Sequence, residues 1–167
     1  MKHLLSLVLL LALAATAQAQ ISFGVGGGPT VPAGHYNDIF DHGFHVQGLV
    51  DFSLPLLPVG VRATAGYQRF EGTLTQNQFI GTLNGRVGIP SPFVSVYFTG
   101  GPSVHVFSFD TVLGEREMET YSGFNFGAGA SAGVPFLFDV FLEIKYFQMF
   151  TEGDNAQFVP ITVGIIF

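Results

Sequence analysis

Apolar and polar residues alternate along eight segments of this chain, with the period of two that sends successive side chains to opposite faces of a strand. In the first, 21–28, Ile21, Phe23 and Val25 share one face, with Ser22, Gly24 and Gly26 on the other. The second, 43–54, sets Phe44, Val46, Val50, Phe52 and Leu54 against His45, Gln47, Asp51 and Ser53. The third, 59–68, opposes Val59, Val61, Ala63, Ala65 and Tyr67 to Arg62, Thr64 and Gln68. The fourth, 78–89, opposes Phe79, Leu83, Val87 and Ile89 to Thr82, Asn84 and Arg86. The fifth, 93–107, shows Val94, Val96, Phe98, Val104 and Val106 opposite Ser95, Tyr97, Thr99, Ser103 and His105. The sixth, 121–134, shows Phe124, Phe126, Ala128, Ala130, Ala132 and Val134 opposite Asn125, Gly127, Gly129, Ser131 and Gly133. In the seventh, 138–150, Val140, Leu142, Ile144 and Tyr146 oppose Asp139, Glu143 and Lys145. In the eighth, 159–167, Val159, Ile161, Val163, Ile165 and Phe167 oppose Pro160, Thr162 and Gly164. No stretch competes as an amphipathic helix, so the expectation is an all-β chain.

The connections alternate too. Those after the second, fourth and sixth segments are short and contain Pro55 and Pro58, Pro90 and Pro92, and Pro135. Those after the first, third, fifth and seventh are longer and polar, at 29–42, 69–77, 108–120 and 151–156. Short turns at one end and long loops at the other are the habit of up-and-down membrane barrels, with the short turns on the periplasmic side. Pro102 and Pro160 fall inside predicted strands and are expected at bulges or strand ends, because proline cannot donate to a ladder.

A soluble lipocalin or sandwich also has one apolar face, and composition separates the two readings. Charged residues are 11% of the chain, against about 25% in ordinary soluble domains. The polar faces carry only five well-placed charges, Asp51, Arg62, Arg86, Glu143 and Lys145, with Gly, Ser, Thr and Asn elsewhere. That strip is too bare for a solvated surface, but inside a narrow barrel its charges can pair. Pairing Leu54 with Val59 sets Asp51 opposite Arg62, and Glu143 and Lys145 lie two apart beside the small residues Gly127, Gly129 and Ser131. An isolated buried charge costs several kcal/mol, so these five are expected to form a compensating structural cluster in the lumen. Phe44, Phe52, Phe79, Phe98, Phe107, Phe138 and Phe167, near strand ends, would form aromatic girdles at the membrane interfaces. Eight strands enclose a space that side chains fill, which argues against a diffusion pore.

Residues 1–19 have a short charged start, an apolar run from Leu4 to Ala15 and the small-x-small pattern Ala17-Gln18-Ala19, and are expected to be a secretory signal peptide. The barrel domain is then 20–167, with five basic and 12 acidic residues. Nucleic acid is an improbable partner for such a surface. No cysteine is available for a disulfide or a lipid anchor.

The chain resembles the small eight-stranded outer-membrane β-barrel family, of the OmpX and OmpA-domain type, over about 20–167. The resemblance rests on the signal peptide, the Gly24-Val25-Gly26-Gly27-Gly28-Pro29 opening, Pro32 and Gly34 to Phe40 and Gly43 in the first loop, Glu143 with Lys145, and Phe167. It implies the outer membrane of a Gram-negative bacterium, and outer-membrane lipid, lipopolysaccharide and the barrel-assembly machinery as partners. Phe167 resembles the signal that this machinery reads, and Ile166 stands where a polar or basic residue is more usual. Family members serve in adhesion, host-factor binding or envelope integrity.

Three constellations could carry chemistry. Asp38, Asp41, His42 and His45 have metal-ligating types without the spacing of a closed motif. Ser103, His105 and Asp110 follow one another along the fifth strand, and some outer-membrane barrels use rim serine and histidine to act on lipid A, but no nucleophile motif accompanies them. Asp110, Glu115, Glu117, Glu119, Glu152 and Asp154 make two loops acidic, which is usually mere solvation. The reading is an eight-stranded antiparallel up-and-down transmembrane β-barrel, non-enzymatic, with no catalytic, cofactor or metal site. Its expected role is envelope structure or surface interaction, including an extracellular protein partner. The rival readings are a lipid-modifying outer-membrane enzyme and a soluble exported binding barrel.

Overall fold

The computed structural model describes residues 20–34, 37, 40–54, 57–72, 75–89, 91, 93–110, 116–134, 137–151 and 155–167, with backbone alone at 108–110, 116–117 and 134. The expected signal peptide lies outside them, as do Asp38, Glu115, Glu152 and Asp154. Eight strands run in chain order: β1 (Gln20–Ala33), β2 (Phe40–Ser53), β3 (Val59–Gly72), β4 (Gln76–Ile89), β5 (Val94–Asp110), β6 (Arg116–Val134), β7 (Phe138–Met149) and β8 (Ala156–Ile166). Each pairs antiparallel with its neighbours, and β1 pairs with β8, so the sheet closes on itself. Phe23 and Phe167 exchange backbone bonds across that seam, at 2.7 and 3.2 Å. Closure leaves no edge to protect.

The alternation sorts as expected over the middle of the barrel. Ile21, Phe23, Val46, Val61, Leu83, Phe98, Phe126, Leu142 and Val163 stand exposed on the outer face. Asp51, Arg62, Thr64, Asn84, Thr99, Asn125, Glu143, Lys145 and Thr162 are buried inside. The outward apolar run on β3 spans nine residues, Val59 to Tyr67, and that on β4 eleven, Phe79 to Ile89. Those lengths match the about 9–11 residues of a tilted strand crossing a bilayer.

Toward the long connections the strands run on past this band, and there the pattern inverts. β1 continues to Ala33, β3 to Gly72 and β5 to Asp110, while β2, β4, β6 and β8 begin earlier than the alternation suggests. In these extensions Arg69, Glu71 and Gln157 point outward, and Phe40, Phe70, Phe107, Phe147, Met149, Ala156 and Phe158 are buried inside. A short stretch of barrel is therefore built like a water-soluble one, apolar within and polar without. Arg69 and Glu71, two apart on the outer face, pair at 3.2 Å. Phe107 belongs to this interior and not to a girdle, since it is 1% exposed.

Pro102 and Pro160 do not sit at bulges or strand ends. Both lie mid-strand with the register unchanged on either side, and the ladder simply lapses beside them: β4–β5 between the Thr82–Ser103 and Gly85–Gly100 pairs, β7–β8 between Ile144–Ile161 and Phe147–Phe158. A missing donor is tolerated where the ladder already opens. The bulge that the structure does show is on β2, between Phe40 and His42. It sets Phe40 on the buried face with Gly43 and His45.

Inward glycines seat the large rings. A Cβ on Gly164 would stand 2.5 Å from Phe141 Cε1, and one on Gly129 would stand 2.5 Å from the Tyr97 hydroxyl. Outward Gly48 and Gly81 have nothing within 4 Å of such a Cβ. Gly164→Ala should therefore destabilise the barrel by about 1–3 kcal/mol through overpacking. Gly48→Ala should be neutral or stabilising by up to about 1 kcal/mol. Urea unfolding in one lipid compares them, and equal effects would mean that the lumen is not packed against these seats.

Candidate functional site

The lumen is the one place where polar chemistry concentrates among the described residues, and it is arranged in layers. Nearest the short turns, Arg62 is fully buried. Its Nε and Nη2 each donate to a different Asp51 oxygen at 2.7 Å, and Nη1 donates to Glu143 Oε2 at 2.7 Å and to the Tyr97 hydroxyl at 3.2 Å. The fork geometry of guanidinium makes such double engagement possible. Lys145 Nζ meets Glu143 Oε1 at 2.7 Å, and Arg86 Nη1 donates to Asp51 Oδ2 at 3.3 Å. All five charges named from the sequence meet in one network. Asp51 faces Arg62 across the β2–β3 ladder, and Gly129 and Gly127 stand beside Glu143 and Lys145 on β6. Two aromatics join them: the Arg62 guanidinium lies 5.1 Å from the Tyr97 ring and 5.4 Å from the Phe141 ring. Phe141 shares the strand parity of Glu143 and Lys145, which is the available signal for its inward position.

Above this network, Asn84 and Asn125 exchange amide bonds at 2.9 and 3.0 Å. His45 bridges Thr30 at 3.0 Å and Thr162 at 2.9 Å. Gln47, Thr64, Gln68 and Thr82 line a cavity of about 20 Å³, little more than one water molecule needs.

The outermost layer is aromatic. Phe158 stacks on Phe147 with ring centres 5.0 Å apart, and Phe70 meets Phe158 edge-on at 5.6 Å and the tilted ring of Phe40 at 5.4 Å. His105 sits edge-on to both Phe147 and Phe158 at 5.8 Å. A second group, Phe107, Met149 and Ala156 with Tyr121 against it, continues the same layer.

The other constellations are not brought together as sites. His42 lies on the outer surface, 3.9 Å from Glu71, while His45 points inward, so the two do not share a coordination centre. No group of three potential metal ligands occurs among the described residues. Ser103 and His105 are hydrogen-bonded at 2.9 Å, but they are 2% and 0% exposed inside the aromatic layer. The serine is enclosed at that level of the barrel, and the Asp110 side chain lies outside the described residues. Glu119 accepts a bond from the Tyr121 hydroxyl at 2.6 Å. Phe167 is exposed on the outer face at the β1–β8 seam.

Comparison with known proteins agrees with this architecture. Residues 5–167 match the family described as outer membrane protein beta-barrel domain. Neisserial surface protein A is similar in structure, with a TM-score of 0.69 at 12% identity, covering 89% of this chain and 97% of that one. A major outer membrane protein from Thermus thermophilus has a TM-score of 0.62 at 14% identity, covering 90% and 98%. Ail, the attachment invasion locus protein of Yersinia pestis, solved with the heparin analogue sucrose octasulfate, has a TM-score of 0.54 at 15% identity, covering 89% and 97%. No curated protein matches the sequence significantly. At these identities the solved structures speak to the fold, whereas the family match spans nearly the whole chain: the protein belongs to the outer membrane protein β-barrel domain family.

Proposed function

We propose that the protein is a non-enzymatic barrel of a Gram-negative outer membrane, with a lumen filled by side chains, acting in envelope structure or surface interaction. In this reading residues 1–19 direct export and are removed, and the barrel-assembly machinery inserts residues 20–167. The observation that carries it is the double closure of the lumen. A charge network lies across the turn end and an aromatic layer across the loop end, which supports a lumen without a route for solute. Activity is left to the surface, where the extended strands hold the long connections above the apolar band on a rigid base. Outer-membrane lipid and lipopolysaccharide surround this base, and an extracellular protein is the partner to seek. Similarity to a neisserial surface protein and to an attachment protein supports the choice of surface interaction over transport.

The test replaces each long connection in turn with a short Gly-Ser turn and measures adherence of the host bacterium to cells, together with its resistance to detergent. Loss of one property with unchanged protein level supports the proposal. Four replacements that alter neither would sink it. The enzyme alternative has its own check. Ser103→Ala should leave the lipid A mass spectrum of expressing cells identical to that of wild type, and a wild-type modification lost in the variant would make the protein an enzyme.

A further inference from the structure

The turn end of the lumen opens into a cavity of about 520 Å³. Its inner wall holds Arg86, Asp51 and Tyr97, and its sides include Ser53, Ser95 and Gly88. Within the contact network itself, charge is not balanced. Arg62 and Lys145 are buried with Asp51 and Glu143, two cations against two carboxylates, each in contact at 2.7 Å. Arg86 is the surplus cation of the network. Its contact with Asp51 is the long one, 3.3 Å, to an oxygen that Arg62 already holds at 2.7 Å. The guanidinium lies 4.0 Å from the Tyr97 ring centre, which fixes its plane, and the side chain remains 21% exposed.

A guanidinium has five N–H donors in a rigid fork that fits carboxylate and phosphate groups. Arg86 uses one of them on Asp51. The side chain lines the cavity, where low-dielectric walls strengthen attraction to a negative charge. Inward Gly60 and Gly88 stand on β3 and β4 at this level, Gly60 beside Arg86 and Gly88 beside Tyr97. Their lack of side chains keeps the space open. Asp139 lies toward the same end on β7, outside the cavity lining.

We propose that this vestibule is a binding site for a small oxyanion, a phosphate or carboxylate group, held by Arg86 with the Ser53 and Ser95 hydroxyls as further donors. The anion completes the charge balance of the network and enters from the short-turn end. Its source is either a free periplasmic anion or the phosphate of a phospholipid headgroup.

The four arginines of the chain, Arg62, Arg69, Arg86 and Arg116, give a side-chain Nε–H spectrum simple enough to follow each one. The barrel, refolded in an uncharged sugar detergent, is titrated with inorganic phosphate and with acetate, against sodium chloride at equal ionic strength. A saturable shift of the Arg86 resonance, absent with chloride and absent at Arg69, is the expected result. Arg86→Gln should lose the resonance and weaken phosphate binding, followed by isothermal titration, at least tenfold. Gly88→Val is the second variant. A Cβ there meets nothing closer than 3.7 Å, so the barrel folds while the added bulk enters the cavity. It should weaken binding with Arg86 intact. Nanodiscs with and without phosphatidylglycerol distinguish the sources: a shift that appears only with the anionic lipid marks a headgroup, and one that needs added phosphate marks a free anion. Arg86 shifts equal to those of Arg69, or equal for phosphate and chloride, or unchanged binding in Gly88→Val would overturn the proposal.

Discussion

Arg62→Ala should lower the unfolding free energy of the lipid-refolded barrel by about 3–5 kcal/mol, the usual cost of stripping one partner from a buried ion pair. Arg62 has no exposed surface, and it is the only side chain among the described residues that holds both Asp51 and Glu143. Its loss leaves Glu143 to Lys145 alone and Asp51 to the longer contact from Arg86. Removing Asp51 together with Arg62 should cost less than the sum of the two single changes, because the stranded carboxylate goes too. A coupling of about 1–3 kcal/mol in the double-mutant cycle is expected. Strict additivity would mean that the two residues do not act as a pair.

The second large effect belongs to the loop end. Phe158 is fully buried, stacked on Phe147 and in edge contact with Phe70 and His105. Phe158→Ala should cost about 3–5 kcal/mol, because the layer cannot collapse around the space of a whole ring. Phe79→Ala is the natural control, since that ring is 60% exposed on the outer face, with Tyr67 edge-on to it at 5.5 Å. Its loss forfeits lipid burial and one edge contact, about 1.5–3 kcal/mol in all. Urea midpoints measured in one bilayer separate the two, and a smaller loss for Phe158 than for Phe79 would place the aromatic layer outside the barrel's folding core.

Strand number, connection lengths and the Asp51–Arg62 register are legible because one physical rule, apolar toward lipid and polar toward the lumen, governs the middle of each strand. Parity alone pairs those two residues once Leu54 is matched with Val59. The rule fails at the loop end, and there the sequence pattern stops short of the strands. Past Gln68 the inward residue is Phe70 and the outward ones are Arg69 and Glu71, so a strand leaving the membrane resembles a break in the pattern. Phe107 looks like a girdle residue for the same reason, although it shares parity with His105 and Ser103. Phe141 and Phe147 flank Glu143 and Lys145 at even spacing and are open to recognition as lumen residues. What makes them hard to see is that each ring depends on what admits it, as Gly164 faces Phe141 and Phe158 stacks on Phe147. Their seats lie on other strands, far away in sequence. The prolines illustrate a related limit, since a ladder that lapses without a register shift leaves no mark in the residue pattern.

The acidic loops and the partner they would meet are legible only as composition. No alternation runs through 111–115 or 152–154, so neither spacing nor parity carries information about them. Ser103 and His105 show the opposite case. Their adjacency on one face suggests chemistry, and the structure buries the same hydrogen bond beside the aromatic layer.

Single-channel recording in planar bilayers tests the closed lumen most directly. Purified barrel, inserted at a density confirmed by a heat-dependent shift on a detergent gel, should give no stepwise current in concentrated salt at either polarity. Phe158→Ala should stay silent as well, because the Arg62 network still closes the turn end. Regular conductance steps from the wild-type protein, abolished by an antibody to the long connections, would contradict the closed lumen and make the protein a channel.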